Sequence, residues 1–309
     1  MLALCVMATL ALIYALPVPY SDNLSSIVNK RDLLKDDRQN RVVFVGGSGL
    51  FDGLDSGMAE NRLHRPVVNM GLYSGFAITP LLLEVEPYLR SGDTVVIVPE
   101  YRFVFDTFDV PARKWLFALA PARNLRLYRD MPHGATALLT DVIGLLRSKI
   151  QALPKAVRES VRTRSFAPLT GHGYAYFGKY YDRHGDSLRT MRAAVPGVIE
   201  QMGLEFFSDA AYRDQSFAAV NAFCLRARQT GVKTIFFFPA FPEVEYLRLK
   251  PGMQAYEARL RRELRSPILG TPQDFLYPLS YFTNTVNHIN SEARTQRTEK
   301  LLQYLEKAL

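Results

Sequence analysis

Cysteine is nearly absent from this chain: Cys5 and Cys224 are the only two in 309 residues, too few for a disulfide framework or a cysteine-built zinc site. The redox compartment therefore cannot be read from them. Histidine is scarce too, and none of the five residues pairs with another at the spacing of a helical zinc motif. Internal repeats and low-complexity linkers are missing, which excludes solenoids and bead-like arrays. Acidic residues are the charge in deficit, 30 against 38 basic ones. What is present in ordinary amounts, 48% hydrophobic and 22% charged residues, excludes a disordered, collagen-like or multi-spanning chain. A chain of this length fills one large α/β unit or two modest domains and buries a substantial core.

The net charge of +8 is confined to one stretch. Between Arg113 and Arg164 eleven basic residues face three acids (Asp130, Asp141, Glu159), a surplus equal to that of the whole chain. The same stretch holds Leu138, Leu139, Val142, Ile143, Leu145, Leu146 and Ile150, spaced for one apolar helix face and followed by Arg147 and Lys149. Such a helix either lies on a membrane surface or covers the main core with a solvated basic rim. No module of basic and interleaved aromatic residues accompanies it, so no nucleic-acid partner is expected.

The first residues carry no charge before Asp22, and the apolar run ends near Pro17. This is the pattern of a membrane segment or a secretory apolar region over residues 1–21, although a basic flank and an A-x-A cleavage site are lacking. A globular part over residues 40–309 is then expected outside the cytoplasm, anchored to the membrane and facing the periplasm or cell surface.

From Arg41 onward strand and helix patterns alternate. Val42–Val45 runs into Gly46-Gly47-Ser48-Gly49, with a helix expected from Asp52. Val67–Gly71 and Thr94–Val98 are further strands, separated by a helix over Ile78–Leu89 that opens at Thr79-Pro80. The stretch from about 101 to 200 breaks the rhythm and is expected to be a mainly helical insertion. A helix over Ala210–Gln229, a strand over Thr234–Pro239, a helix over Glu243–Arg265, a short extended piece at Ile268-Leu269 and a closing helix over Glu292–Leu305 complete the pattern. The expected fold is α/β, a three-layer sandwich around a central parallel sheet, with function on the loops at the strands' carboxyl ends.

The first of those loops carries the sharpest signal. A buried strand delivers Ser48 between glycines, where the backbone turns tightly and exposes a hydroxyl beside amide donors. Asp52-Gly53 follows, so the dinucleotide spacing G-x-G-x-x-G fails, and Leu50 stands where the elbow motif G-x-S-x-G needs glycine. A structural glycine turn is the alternative. At the far end of the chain, Tyr281–Asn290 places His288 in a loop before the last helix, where it could meet Ser48 as its base. Asn284 is the group expected to hold the other ring nitrogen. His64 and His133 lie in proline-adjacent loops, and His172 and His184 lie in the insertion.

The set Val43–Ser48, Asn69–Gly75 and Asn284–Asn290 with Arg297-Thr298 resembles the SGNH/GDSL hydrolase superfamily. More narrowly it resembles membrane-anchored members that modify bacterial cell-surface polymers, such as the alginate O-acetyltransferase proteins and the D-alanyl-lipoteichoic acid biosynthesis protein. The likeness covers roughly residues 40–100 and 215–309 and implies a flavodoxin-like sandwich. It implies Ser48 as nucleophile, His288 as base, and the amides of Gly49 and Gly71 as oxyanion donors, with neither metal nor cofactor. It implies transfer of an acyl group to an exported polysaccharide, with a membrane protein as acyl donor; an esterase of the same fold and a non-catalytic glycan- or partner-binding member are the alternatives.

Two departures stand out. The family's G-x-N-D block should follow the third strand, where this chain has Val98-Pro99-Glu100-Tyr101. A carboxylate there would oppose a developing oxyanion, so Glu100 faces away, or is protonated with the Tyr101 hydroxyl donating, or the hole is incomplete. The aspartate that should precede the histidine is missing as well. An amide oxygen orients an imidazole without stabilising the imidazolium as an anion does, so a slow enzyme or an activated acyl donor is expected. Trp115 and the run Tyr174–Tyr181 are candidates for sugar stacking or for core packing, Asp186 for a place near the sheet's open edge or in a polar turn, and Arg294 and Arg297 for anion contact or a solvated helix face.

Overall fold

The computed structural model describes residues 2–15, 30–72, 78–101, 135–166, 181–188 and 214–309. His133, His172, Trp115 and the aromatic run up to Tyr180 lie outside the described residues. The chain divides into two compact units, residues 1–32 with 108–180, and residues 33–107 with 181–309. In chain order the helices are α1 (Leu2–Ala15), α2 (Ser48–Gly53), α3 (Ser56–Leu63), α4 (Ile78–Val85), α5 (Ala135–Thr163), α6 (Asp214–Gln229), α7 (Glu243–Arg248), α8 (Lys250–Glu263) and α9 (Ser291–Ala308). The strands are β1 (Val42–Gly46), β2 (Val67–Gly71), β3 (Thr94–Val98), β4 (Lys233–Phe237), β5 (Phe241–Pro242), β6 (Ile268–Leu269) and β7 (Leu276–Tyr277).

The larger unit is an α/β layer structure around a parallel five-stranded sheet of order β2-β1-β3-β4-β6, flanked by helices. Every residue of β1, β2 and β3 is buried, which accounts for valine-rich runs without the alternation of a half-exposed strand. The chain leaves β1 for one edge, then returns to the other side of β1 through β3. Loops at the carboxyl ends of β1 and β3 therefore diverge around a crevice. A short parallel pair, β5 with β7, lies outside the main sheet.

Two helices differ from their sequence expectations. The helix expected from Asp52 begins at Ser48 itself, with Gly47 as its cap residue, and α3 follows with the Asp55 side chain accepting from the Met58 amide at 2.8 Å. The single helix expected over Glu243–Arg265 is divided at Leu249, because Pro251 is suited to a helix's first turn and cannot supply an interior amide hydrogen. His64 closes α3 in the left-handed conformation. Residues 181–188, expected within the insertion, belong to the α/β unit.

At the amino-terminal edge of the sheet, Arg41 and Asp93 are both fully buried. The guanidinium donates to Asp93 Oδ2 at 2.7 Å, to the Leu34 carbonyl at 2.8 Å and to the Tyr88 carbonyl at 2.7 Å, while the Arg41 amide donates to Asp93 Oδ1 at 2.9 Å. The pair ties the starts of β1 and β3 to the segment that enters the sheet.

In the smaller unit α1 lies against α5. Its 14 residues extend about 21 Å, short of a hydrocarbon layer about 30 Å thick. Among the described residues no helix is long and apolar enough to cross a membrane. Ile143 and Ile150, on the face expected either to lie on a membrane or to cover the core, are exposed, and Val157 and Val161 continue their stripe along α5. Lys149 is buried on the same helix, and burial lowers its ammonium pKa to about 8.

Removing one member of a buried, hydrogen-bonded pair leaves the other uncompensated. Arg41→Leu should lower the unfolding free energy of the α/β unit by about 3–5 kcal/mol, measured by denaturant unfolding. A loss below about 1 kcal/mol would contradict this role for the pair.

Candidate functional site

Ser48 owes its position to the end of β1. Gly46 stands where a Cβ would collide with the Val98 carbonyl of the neighbouring strand, so only glycine lets the two strand ends approach. The chain then turns at Gly47, whose carbonyl accepts from the amides of Leu50 at 3.1 Å and Phe51 at 3.2 Å. Ser48, the first residue of α2, is partly exposed, while Gly47 and Gly49 on either side are buried.

The partner segment is built from the other end of the chain. After β7 and a 3-10 turn over Leu279–Tyr281, Phe282 and Ile289 form an antiparallel bridge that closes the intervening residues into a loop. The Thr283 amide donates to the His288 carbonyl at 2.9 Å, and the Asn290 amide donates to the Tyr281 carbonyl at 2.7 Å. The Asn290 side chain then accepts from the Ala293 amide at 2.9 Å and caps α9. A buried bridge below and a capped helix beyond hold the loop in one conformation.

On that loop His288 Nε2 lies 2.7 Å from Ser48 Oγ, and His288 Nδ1 lies 2.8 Å from Asn284 Oδ1. The amide oxygen of Asn284 only accepts, so Nδ1 carries a hydrogen and a neutral ring leaves Nε2 free to take the serine proton. Ser48, His288 and Asn284 thus form a hydroxyl–imidazole–amide series, with Asn284 exposed and His288 partly so. An acyl group can approach the serine from solvent.

The expected oxyanion donors are arranged differently. The Glu100 side chain does not face away. It is buried, its Oε1 accepts from the Gly49 amide at 2.8 Å and lies 3.1 Å from Ser48 Oγ, and its Oε2 accepts from Asn287 Nδ2 at 3.1 Å. Burial raises the carboxyl pKa, opposed by the Gly49 amide, His288, Ser48 and the Arg297 guanidinium. Tyr101, considered as a donor, is core instead: its ring meets Phe241 and Tyr256 edge-on with centroids 5.0 and 5.4 Å away. The Gly71 amide, the other expected donor, is engaged by Asn69 Oδ1 at 2.7 Å, a bond within its own strand end.

Other supporting residues have roles that the sequence reading did not assign to them. Arg297, read as an anion contact or part of a solvated face, is fully buried and donates to the Gly49 carbonyl at 2.7 Å and the Gly53 carbonyl at 3.1 Å, linking α9 to the turn that presents Ser48. Burial lowers its pKa to about 10. The signal was periodicity: Ala293, Arg297, Leu301 and Leu305 recur every fourth residue on the buried face of α9. Asp186 is buried under the same sheet end and accepts from the Ser56 amide and hydroxyl, both at 2.6 Å, from Asn69 Nδ2 at 2.8 Å and from Arg294 Nη2 at 2.9 Å. It orients Asn69 and fastens residues 181–188 to the sheet. Asn287 left no sequence signal, since its contact exists only after the loop closes. Among the described residues no histidine, cysteine and carboxylate cluster could hold a metal ion.

Compared with models of known families and with curated proteins, the chain matches none.

Gly49 packs tightly against the histidine loop. A Cβ there would lie 2.7 Å from the Asn287 carbonyl oxygen, against backbone rather than a flexible side chain. Gly49→Ala should therefore push the His288 loop off Ser48 and slow reaction of Ser48 with a fluorophosphonate by about a hundredfold, with little change in melting temperature. Wild-type reactivity in this variant would contradict the close approach.

Proposed function

We propose that this protein is a serine acyltransferase of SGNH type, tethered outside the cytoplasm, that O-acetylates an exported or cell-surface polysaccharide. The observation that carries the reading is the 2.7 Å contact between Ser48 Oγ and His288 Nε2, with Asn284 on the other ring nitrogen. The sheet order supports it. It is the doubly wound order in which sites form at the strands' carboxyl ends, where Ser48 follows β1 and Glu100 follows β3. Ser48, Asn284 and His288, among the residues that carry the resemblance to the SGNH superfamily, form this series, and Arg297 donates to the Gly49 carbonyl beside it.

In this scheme the Ser48 oxygen attacks the carbonyl carbon of an ester or thioester while its proton passes to His288 Nε2. The carbonyl electrons move to oxygen, and the tetrahedral anion takes the hydrogen bond of the Gly49 amide. Collapse re-forms the carbonyl, breaks the bond to the leaving group and returns the proton to it, leaving acyl-Ser48. A sugar hydroxyl then gives its proton to His288 as its oxygen attacks, and collapse breaks the acyl–serine bond while His288 passes that proton to the Ser48 oxygen, releasing free serine and the O-acylated polymer. Water in place of the sugar makes the same site an esterase. The scheme uses protein groups alone. The uncharged leader supports membrane tethering, and a membrane protein supplying activated acyl groups is the partner that the resemblance implies.

A fluorophosphonate should add one phosphonyl group per chain at Ser48, located by mass spectrometry, with no adduct in Ser48→Ala and labelling slowed at least about a thousandfold in His288→Ala. An unlabelled wild-type protein favours the non-catalytic, glycan-binding alternative. In an acceptor assay with activated acetyl donor, acetyl found on polymer identifies the transferase, and free acetate alone identifies the esterase.

A further inference from the structure

The three hydrogen-bond contacts around Ser48 allow a count of protons. Asn284 Oδ1 to His288 Nδ1, His288 Nε2 to Ser48 Oγ, and Ser48 Oγ to Glu100 Oε1, at 2.8, 2.7 and 3.1 Å, each require one hydrogen. A neutral imidazole and a serine hydroxyl supply two. With Glu100 ionised one contact would set two oxygen or nitrogen lone pairs against each other. The third hydrogen sits either on Glu100, as a carboxylic acid donating to Ser48, or on His288, as an imidazolium donating to a serine that in turn donates to Glu100. Both arrangements carry the same total charge, and only the first leaves His288 able to accept the serine proton.

Each carboxyl oxygen accepts one N–H, so the contact with Ser48 decides which of them carries the proton. Glu100 Oε2 accepts from Asn287 Nδ2 and is the carbonyl oxygen; Oε1, the atom toward Ser48, is the hydroxyl. Oε1 also accepts from the Gly49 amide, so it occupies the position that an acyl oxygen must enter. An arriving acyl oxygen displaces Oε1 from that amide and then faces the carboxyl group itself. A carboxylate there would repel the growing negative charge, whereas a carboxylic acid donates a hydrogen bond to it.

We infer that Glu100 is a catalytic residue that works as a neutral acid, donating a hydrogen bond to the oxyanion beside the Gly49 amide in place of the engaged Gly71 amide. This rests on the acyl-transfer reading and adds a donor to it. During attack Glu100 keeps its proton and stabilises the oxyanion through the hydrogen bond, while the serine proton goes to His288 and then to the leaving group, so the balance of the reaction is unchanged. The charged and titratable groups facing Glu100 among the described residues are His288 on its loop and Arg297 on α9, with Tyr277 of β7 against Arg297; burial of Glu100 raises its pKa in the direction the inference needs.

The reactive form therefore holds one proton that is lost at high pH and lacks a second one gained at low pH. The rate of fluorophosphonate addition to Ser48, followed from about pH 5 to about pH 9 and corrected for reagent hydrolysis, should be bell-shaped, with two apparent pKa values belonging to the Glu100–His288 pair. In Glu100→Gln, whose amide donates at every pH, the rising limb should remain and the falling limb should vanish. A falling limb that persists in Glu100→Gln, a wild-type profile without one, or a folded Glu100→Gln unreactive at every pH would overturn the inference. Should that variant not fold, infrared difference spectra of wild type decide instead: the carbonyl stretch of a protonated carboxyl should disappear over the falling limb, and its absence below that limb would also overturn it. If wild-type Ser48 does not react at all, the acyl-transfer reading itself fails; if it reacts but the limb persists in Glu100→Gln, only the role of Glu100 fails.

Discussion

The site depends on a close approach of two backbones: Gly49, the residue after Ser48, lies against the Asn287 carbonyl of a loop 238 residues later in the chain. A side chain at position 49 would separate them. Because they touch, His288 comes to hydrogen-bonding distance of Ser48, and Asn287 reaches the Glu100 carboxyl from the same loop. The ends of β1 and β3 and one loop thus meet at the site, and Ser48, Glu100 and His288 each have their direction set by a neighbour.

Support for this approach comes from below and from the side. Arg297 holds the Gly49 and Gly53 carbonyls from a helix whose cap residue, Asn290, ends the histidine loop, so α9 grips both halves of the site. A fully buried guanidinium is costly; here Nη1 serves two carbonyls and the buried Glu100 carboxyl lies nearby, while Nε is without a partner among the described residues. Asp186 performs a parallel task one layer away, fixing Asn69 and Ser56 at the neighbouring strand end. The Ser48–His288–Asn284 series is short, but the polar groups that position it extend through the carboxyl-terminal end of the sheet.

Much of this was legible in the amino-acid sequence, for a physical reason. β1, β2 and β3 are buried on both faces, so their composition is nearly all apolar and their ends are marked by glycine or by a polar turn. Even the two-residue β6 was visible as Ile268-Leu269. Ser48 and His288 stood out because glycines flank one and polar residues the other, each just past an element end. Arg297 was misread because its charge was weighed without the four-residue apolar period it shares with Leu301 and Leu305. Asn287, and the occupation of the Gly71 amide by Asn69, depend on distances between segments that no local pattern records. The departure at Glu100 from the block that the resemblance implies was visible, but the direction of its side chain was not.

The most direct test of a serine activated by His288 is formation of an acyl-enzyme. Mixed in a stopped-flow instrument with a chromogenic acetate ester, the protein should release chromophore in a rapid burst of about one equivalent per chain before a slower steady rate, with acetyl recovered on Ser48 from quenched samples. Release indistinguishable from that of Ser48→Ala, with no acetyl on the serine, would contradict the account.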